Sequence, residues 1–294
     1  MGSRVVVGLF SRKDVAMSST KKLMAMVPAA MLAAAVVHTG TATAADLLID
    51  PPVVEAPEIV TYASGGWYLR GDITYDFHEI DGAHYSNGWG NTSFATTEAD
   101  DSFDLGIGIG YQINENFRVD LTGEYVFEAD FNGTTQGYCD YGAFLAGDLN
   151  CSSVDSSSFD AFKLLGNAYV DLGNFSDFTP YVGAGLGGAY VRWDDTTSEN
   201  TCTFSGIVAC PGGIPATTTT TATQGGTESW RFAWALHAGF SYDVAHNTKL
   251  DFGYTYSRIE GGDMFEWAGA GGTQGYDEGI DSHVIRAGIR YQIW

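Results

Sequence analysis

The chain has 294 residues and a formal net charge of −22; only 17% of its residues are charged, against 14% aromatic, and 38 are glycine. This composition is poor in helix formers and rich in strand and turn residues, which points to an all-β protein. The acidic excess makes nucleic acid a poor partner and favours cations or basic surfaces.

At the N-terminus, Lys21 and Lys22 precede an apolar run over 23–37, and Ala42-Thr43-Ala44 follows. A basic start, an apolar middle and a small-residue site make a secretory signal peptide, so residues 1–44 are expected to be removed. The run is too short for a membrane helix, and no later stretch reaches 18 apolar residues. Met17 offers an alternative start, with residues 1–16 an upstream over-extension. Removing residues 1–44 takes five of the 14 basic and one of the 36 acidic residues, leaving nine and 35, a net of −26. Residues 45–63 are Pro-rich and read as an extended tether, and 64–294 as one domain.

Within that domain, alternating apolar and polar residues mark eight strands. In the first, Trp67, Leu69, Ile73, Tyr75 and Phe77 alternate with Tyr68, Arg70, Asp72, Thr74 and Asp76. The apolar series then recurs from Phe103 to Tyr111, Phe117 to Phe127, Phe162 to Leu172, and Val182 to Tyr190. The last three series run from Trp230 to Tyr242, Leu250 to Tyr256, and Ile285 to Ile293. Connections near 114–116, 173–177 and 245–247 are short. Those near 78–101, 128–158, 192–229 and 259–281 are long. Strict alternation of long and short puts every long loop at one end of the strands, the asymmetry of outer-membrane barrels. Eight is an even number, so the first strand can close on the last and leave no edge. The expected fold is therefore an all-β, eight-stranded antiparallel transmembrane barrel in the outer membrane, with both termini in the periplasm. About 11 residues per strand, tilted near 45°, cover about 25 Å, the height of the apolar band.

In such a barrel the apolar face meets lipid and the charged face points inward. Seven of the nine remaining basic residues fall on inward positions: Arg70, Arg118, Lys163, Arg231, Lys249, Arg286 and Arg290. Inward acids include Asp72, Asp76, Asp104, Asp120, Glu124, Asp171 and Asp251. An eight-stranded interior is just wide enough for side chains to fill it, and unpaired buried charge is costly. The two sets should pair into a plugged, salt-bridged lumen. Excess negative charge is left to the loops, for example Asp194, Asp195, Glu199, Asp277 and Glu278.

Four cysteines, Cys139, Cys151, Cys202 and Cys210, follow an export signal, which implies disulfides. Of three possible pairings, Cys139–Cys151 and Cys202–Cys210 each close a short local loop. A metal site would need CxxC spacing or a nearby His, and neither pair has one. Gly183-Ala-Gly185-Leu-Gly187-Gly188 matches a dinucleotide-binding pattern, but no helix follows it. Thin inward positions that make room for large neighbours explain these glycines better, as they do Gly106, Gly108 and Gly110. His78, His84 and Ser86, with Glu79 and Asp81, raise an enzyme hypothesis that such loop composition produces by chance. His237 and His283 are expected in the lumen network. The run ATTTTTAT over 216–223 reads as a solvated, mobile loop. No acidic spacing matches a calcium loop. The expectation is no catalytic, metal or cofactor site.

Two stretches, GGWYLRGDITYDF (65–77) and TPYVGAGLGGAYV (179–191), with the Pro-rich segment and the terminal IRAGIRYQIW, carry a resemblance. Together they resemble the small outer-membrane β-barrel surface antigens of alphaproteobacteria, related to the OmpA transmembrane domain. The resemblance implies a structural role in envelope integrity, with outer-membrane lipid, lipopolysaccharide and the barrel-assembly machinery as partners. It leaves a narrow porin and an adhesin binding a host or surface ligand through the loops as alternatives. The peptidoglycan-binding domain of full-length OmpA is not present. Tyr291 and Ile293 hold the lipid-facing register of the terminal insertion signal, with Trp294 one residue beyond it.

Overall fold

The computed structural model describes residues 65–87, 90–137, 149–204, 217–267 and 272–293. The expected signal peptide, the whole of the tether, Cys139, Cys210 and Trp294 lie outside the described residues.

Alternation of apolar and polar residues gives strands wherever it was expected. β1 (Gly66–Ile80) alternates buried and exposed along its length, with Tyr68, Arg70, Asp72, Thr74 and Asp76 buried. The apolar set is turned out; Ile73, Phe103, Ile107 and Leu186 are among the most exposed large side chains. A soluble protein does the reverse, and a strand with greasy outside and charged inside requires lipid outside.

The sheet has twelve strands where the sequence reading has eight. After β1 come β2 (Ala83–Asn87), β3 (Gly90–Ala99), β4 (Ser102–Gln112), β5 (Phe117–Gly137) and β6 (Leu149–Asp171). Then come β7 (Phe178–Trp193), β8 (Thr196–Phe204), β9 (Thr217–Gly226), β10 (Glu228–Ala245), β11 (Thr248–Trp267) and β12 (Thr273–Gln292). The eight longer strands pair antiparallel in one closed circuit: β1, β4, β5, β6, β7, β10, β11, β12 and back to β1.

The four additional strands are what the sequence reading takes for loops. They build a second closed circuit on top of the first: β12, β2, β3, β5, β6, β8, β9, β11 and back to β12. Strands β5, β6, β11 and β12, of 20 to 23 residues, run through both. At the joint, β1 and β4 give way to the β2–β3 hairpin, and β7 and β10 to the β8–β9 hairpin. Three of the hand-overs fall on residues that disfavour strands, Asp81-Gly82, Asp100-Asp101 and Asp194-Asp195, and the fourth falls at Thr227. Backbone pairing bridges these breaks, for example from Asp100 N to Asp130 O at 2.8 Å and Asp194 N to Ser158 O at 2.9 Å. Gly279 sits at the same level with φ of +131°, a backbone that disfavours a Cβ.

Strands that run through the joint bulge near it. In β5 the register shifts between Val126 and Ala129, and in β11 between Asp263 and Phe265. The β5 bulge moves the inward set from even numbers (Arg118 to Val126) to odd numbers (Ala129 and Phe131). The expected loop over 216–223 is thus corrected: threonines 217–221 open β9, which pairs with β8 from Thr196↔Gln224 to Thr203↔Thr217. β-branched Thr suits a pleated strand as well as it suits a solvated loop.

Candidate functional site

The interior of the first circuit holds a dense charge network, and glycines make the room for it. A Cβ at Gly110 would collide with Tyr68, one at Gly183 with Tyr169, and one at Gly185 with Asn167. These are the thin positions that alternate through β4 and β7. Arg70 sits at the centre. It contacts Asp72 at 2.9 Å and Asp120 at 2.8 Å, and donates to Tyr169 Oη at 3.0 Å. Asn167 donates to Asp120 at 2.7 Å, and His237 links Asn167 to Thr255.

Toward the short turns, Arg118 pairs with Asp171 at 3.2 Å and lies over the Tyr169 and Tyr181 rings, at 4.1 and 4.6 Å from their centroids. Arg290 pairs with Asp251 at 3.2 Å and donates to Ser241 at 2.7 Å. Toward the joint, Lys163 is ringed by Asp76 (3.4 Å), Asp104 (3.6 Å) and Glu124, and Arg286 reaches Glu124 at 3.6 Å. All these groups are buried. A buried charge stripped of its partner costs several kcal/mol, so each ion here depends on its neighbours.

Four expectations are corrected. Lys249 is not buried in the network; it lies partly exposed beside the short turns and pairs with Asp243 at 2.5 Å. Arg231 is buried but apart from the rest, paired at 2.6 Å with Asp277 and donating to Asp263 O. Asp277, expected on a solvated loop, is therefore an interior residue. His283 points outward, hydrogen bonded to Tyr254, because it shares the odd-numbered register of Ile285 and Ile289. Likewise the loop-1 cluster is divided. His78 faces inward from β1, hydrogen bonded to Ser102 and Ser282, whereas His84 on β2 stacks on Tyr276.

The expected disulfides each have one partner, Cys139 or Cys210, outside the described residues. Cys151 on β6 and Cys202 on β8 face each other across the ladder.

Above the charges lies a layer that the sequence reading missed. Phe131, Phe159, Trp193, Met264, Phe265 and Ile280 form an apolar cluster at the joint, all within 3% of full burial. Trp193 packs against Phe131 (5.5 Å between centroids) and Phe159 (4.9 Å). Phe131, Trp193 and Phe265 lay within the supposed loops, and the β5 bulge hid the period that would have turned Phe131 inward. Among the described residues, paired ions fill the tube below and packed rings fill it above.

Outside, a polar rim tops the apolar band. Tyr75 donates to Asp101 at 3.1 Å, Tyr125 to Asp160 at 3.2 Å and Tyr256 to Asp281 at 2.9 Å. Arg192 and Arg258 pair with Asp160 and Asp281 at 2.8 and 2.9 Å. Amphipathic tyrosines with an acid on the water side mark a membrane–water boundary.

Residues 31–292 match the family model of the outer membrane protein beta-barrel domain. An uncharacterised protein of Brucella suis is 37% identical, over 90% of this chain and 97% of its own length. A putative adhesin of Rickettsia bellii is 28% identical, over 77% of this chain and 88% of its own. Among solved structures, the outer membrane protein OprG from Pseudomonas aeruginosa aligns over 78% of this chain and 97% of its own, at 16% identity and a TM-score of 0.40.

Proposed function

The chain belongs to the outer membrane protein beta-barrel domain family and resides in the outer membrane, and from that premise we propose that it is a non-conducting structural barrel that presents a surface for interaction. The eight-strand circuit is the membrane-crossing part. The short turns face the periplasm, and the second circuit stands outside the cell. Residues 1–44 direct export, and lipopolysaccharide surrounds the rim of tyrosines and arginines. The observation that carries this reading is the doubly filled interior, with the Arg70 and Lys163 ion networks below and the Trp193 ring cluster above. Such filling favours a scaffold over a narrow porin, because an ion would have to displace paired charges and then cross packed rings.

Planar-bilayer recording from the refolded barrel tests it, with heat-dependent gel mobility as the folding control. Silence from a folded barrel is the expected result, and steady conductance steps would replace this reading with the porin. A strain lacking the protein should also become more sensitive to detergent.

The adhesin reading is favoured by a separate observation: relatives in Rickettsia bellii and Rickettsia akari are named putative adhesins. It places the interaction on the second circuit, and removing residues 196–226 should then abolish surface attachment while the first circuit still inserts.

A further inference from the structure

The second circuit encloses a cavity of about 280 Å³. Its walls come from six strands, with Thr273 of β12 completing the ring. Tyr85 is on β2, Asp155 on β6, Asn200 on β8, Gln224 on β9, and Phe265 and Trp267 on β11. Phe265 also belongs to the apolar cluster at the joint, so the cavity abuts that layer.

Its chemistry narrows what the ligand can be. Among the described residues no lysine or arginine lines the cavity, and Asp155 is acidic, so a phosphate, a sulfate or a carboxylated sugar would find no cation to pair with and one carboxylate to repel it. A purely apolar ligand would bury Asp155, Asn200 and Gln224 without partners, at a cost for each. The Asp155 side chain is already held: Ser153 Oγ donates to it at 2.5 Å, and Thr135 Oγ1 lies 2.5 Å from Ser153 Oγ in turn. Ser198 Oγ donates to Gln224 Oε1 at 3.2 Å, which leaves that amide's nitrogen to donate. Asn200 Nδ2 donates to Ser198 O at 3.3 Å, and a carboxylate and two amides fixed in this way can accept from and donate to adjacent hydroxyls. Trp267, 47% exposed, offers an aromatic face beside them. One pyranose ring meets both demands, with an apolar C–H face for the indole and hydroxyls for the planar polar groups. The volume lies at the small end of ligand sites, the size for one ring rather than a long chain.

We propose that this cavity binds an uncharged hexose unit of a glycan, stacked on Trp267 and hydrogen bonded by Asp155, Asn200 and Gln224. The inference rests on the reading that the second circuit stands outside the cell, and it makes a sugar the ligand of that surface.

The test is calorimetry on the refolded full-length barrel with methyl glycosides of glucose, galactose, mannose and N-acetylglucosamine. It is run in an amine-oxide detergent, because alkyl glycoside detergents carry the same headgroup. At least one neutral glycoside should bind saturably. Trp267→Ala and Asp155→Asn should each weaken it about tenfold, equivalent to about 1.4 kcal/mol, while heat-dependent mobility stays that of a folded barrel. Trp267 is exposed, so its variant keeps the test open should Asp155→Asn misfold. No binding by the folded protein, binding of sulfated or sialylated sugars alone, or unchanged affinity in both variants would overturn the proposal. Intact cells separate the two readings. Binding by purified protein without binding by cells on which β8–β9 resists added protease would sink the outward placement and leave the sugar site standing.

Discussion

The two stacked circuits are built from opposite materials. The lower one turns its apolar residues out and keeps Arg70, Arg118, Lys163, Arg286 and Arg290 inside with their acids. In the upper one, the β8–β9 hairpin carries polar residues on both faces, from Thr197 and Glu199 to the threonines of β9. The difference follows from solvent. A strand with lipid outside must be greasy there, so polarity can go only inward. A strand with water outside is free of that rule and can spend its inner face on binding. Only the lower pattern is forced, which is why only the lower pattern repeats.

The largest effect that would break this contrast lies in the lower circuit. Lys163→Met leaves Asp76, Asp104 and Glu124 gathered without their cation, at a cost of about 3–5 kcal/mol. The heat needed to convert the compact gel band to the unfolded one should fall sharply, or the barrel should fail to insert. If the variant folds as well as the parent, the buried ions are not holding the lower circuit. At the joint, Met264→Ala removes a fully buried side chain, at about 2–5 kcal/mol. Amide exchange should quicken in the upper halves of β6 and β11, while the lower network still blocks conductance. Appearance of a conducting state would mean that the rings alone close the tube.

The smallest effect has the opposite sign. Burial pushes the Asp155 carboxyl above its ordinary value, partly offset by the Ser153 hydroxyl that donates to it. A raised folded-state value means that folding binds the proton more tightly, so stability is lost as pH rises from the unfolded value through the folded one. Asp155→Asn removes that loss. Amide exchange in β6 and β8 at neutral pH should slow modestly and lose part of its pH dependence, even as sugar binding weakens. A variant less stable than the parent would show that the carboxylate is structural and not a binding group.

The lower circuit was legible because one residue in two reports its environment. Trp67 to Phe77 alone carries the outward face of β1, and the same parity read from Ile285 back to His283 would have placed that histidine outside. The upper circuit was not legible, for two reasons. A stretch such as Thr217 to Thr223 has no apolar period to count when water lies on one side and a polar cavity on the other. The bulge between Val126 and Ala129 then shifts the period just where Phe131 turns inward. Arg231 and Asp277 stand 46 residues apart in the chain, and nothing local to either reveals the partnership. Apart from Lys249, the lumen ions were readable as a set, since inward polarity is a matter of parity. Which acid meets which base depends on register across strands, and that the sequence does not carry.

Strands β5, β6, β11 and β12 cross the joint without interruption, and this has a mechanical consequence. A tether attached at the mouth would pull along those four strands. Hydrogen bonds in an antiparallel ladder lie perpendicular to the strands, so such a tug loads many of them together in shear instead of peeling them singly. Half of the staves run from mouth to base, and a load at the rim is carried straight into the part gripped by the bilayer.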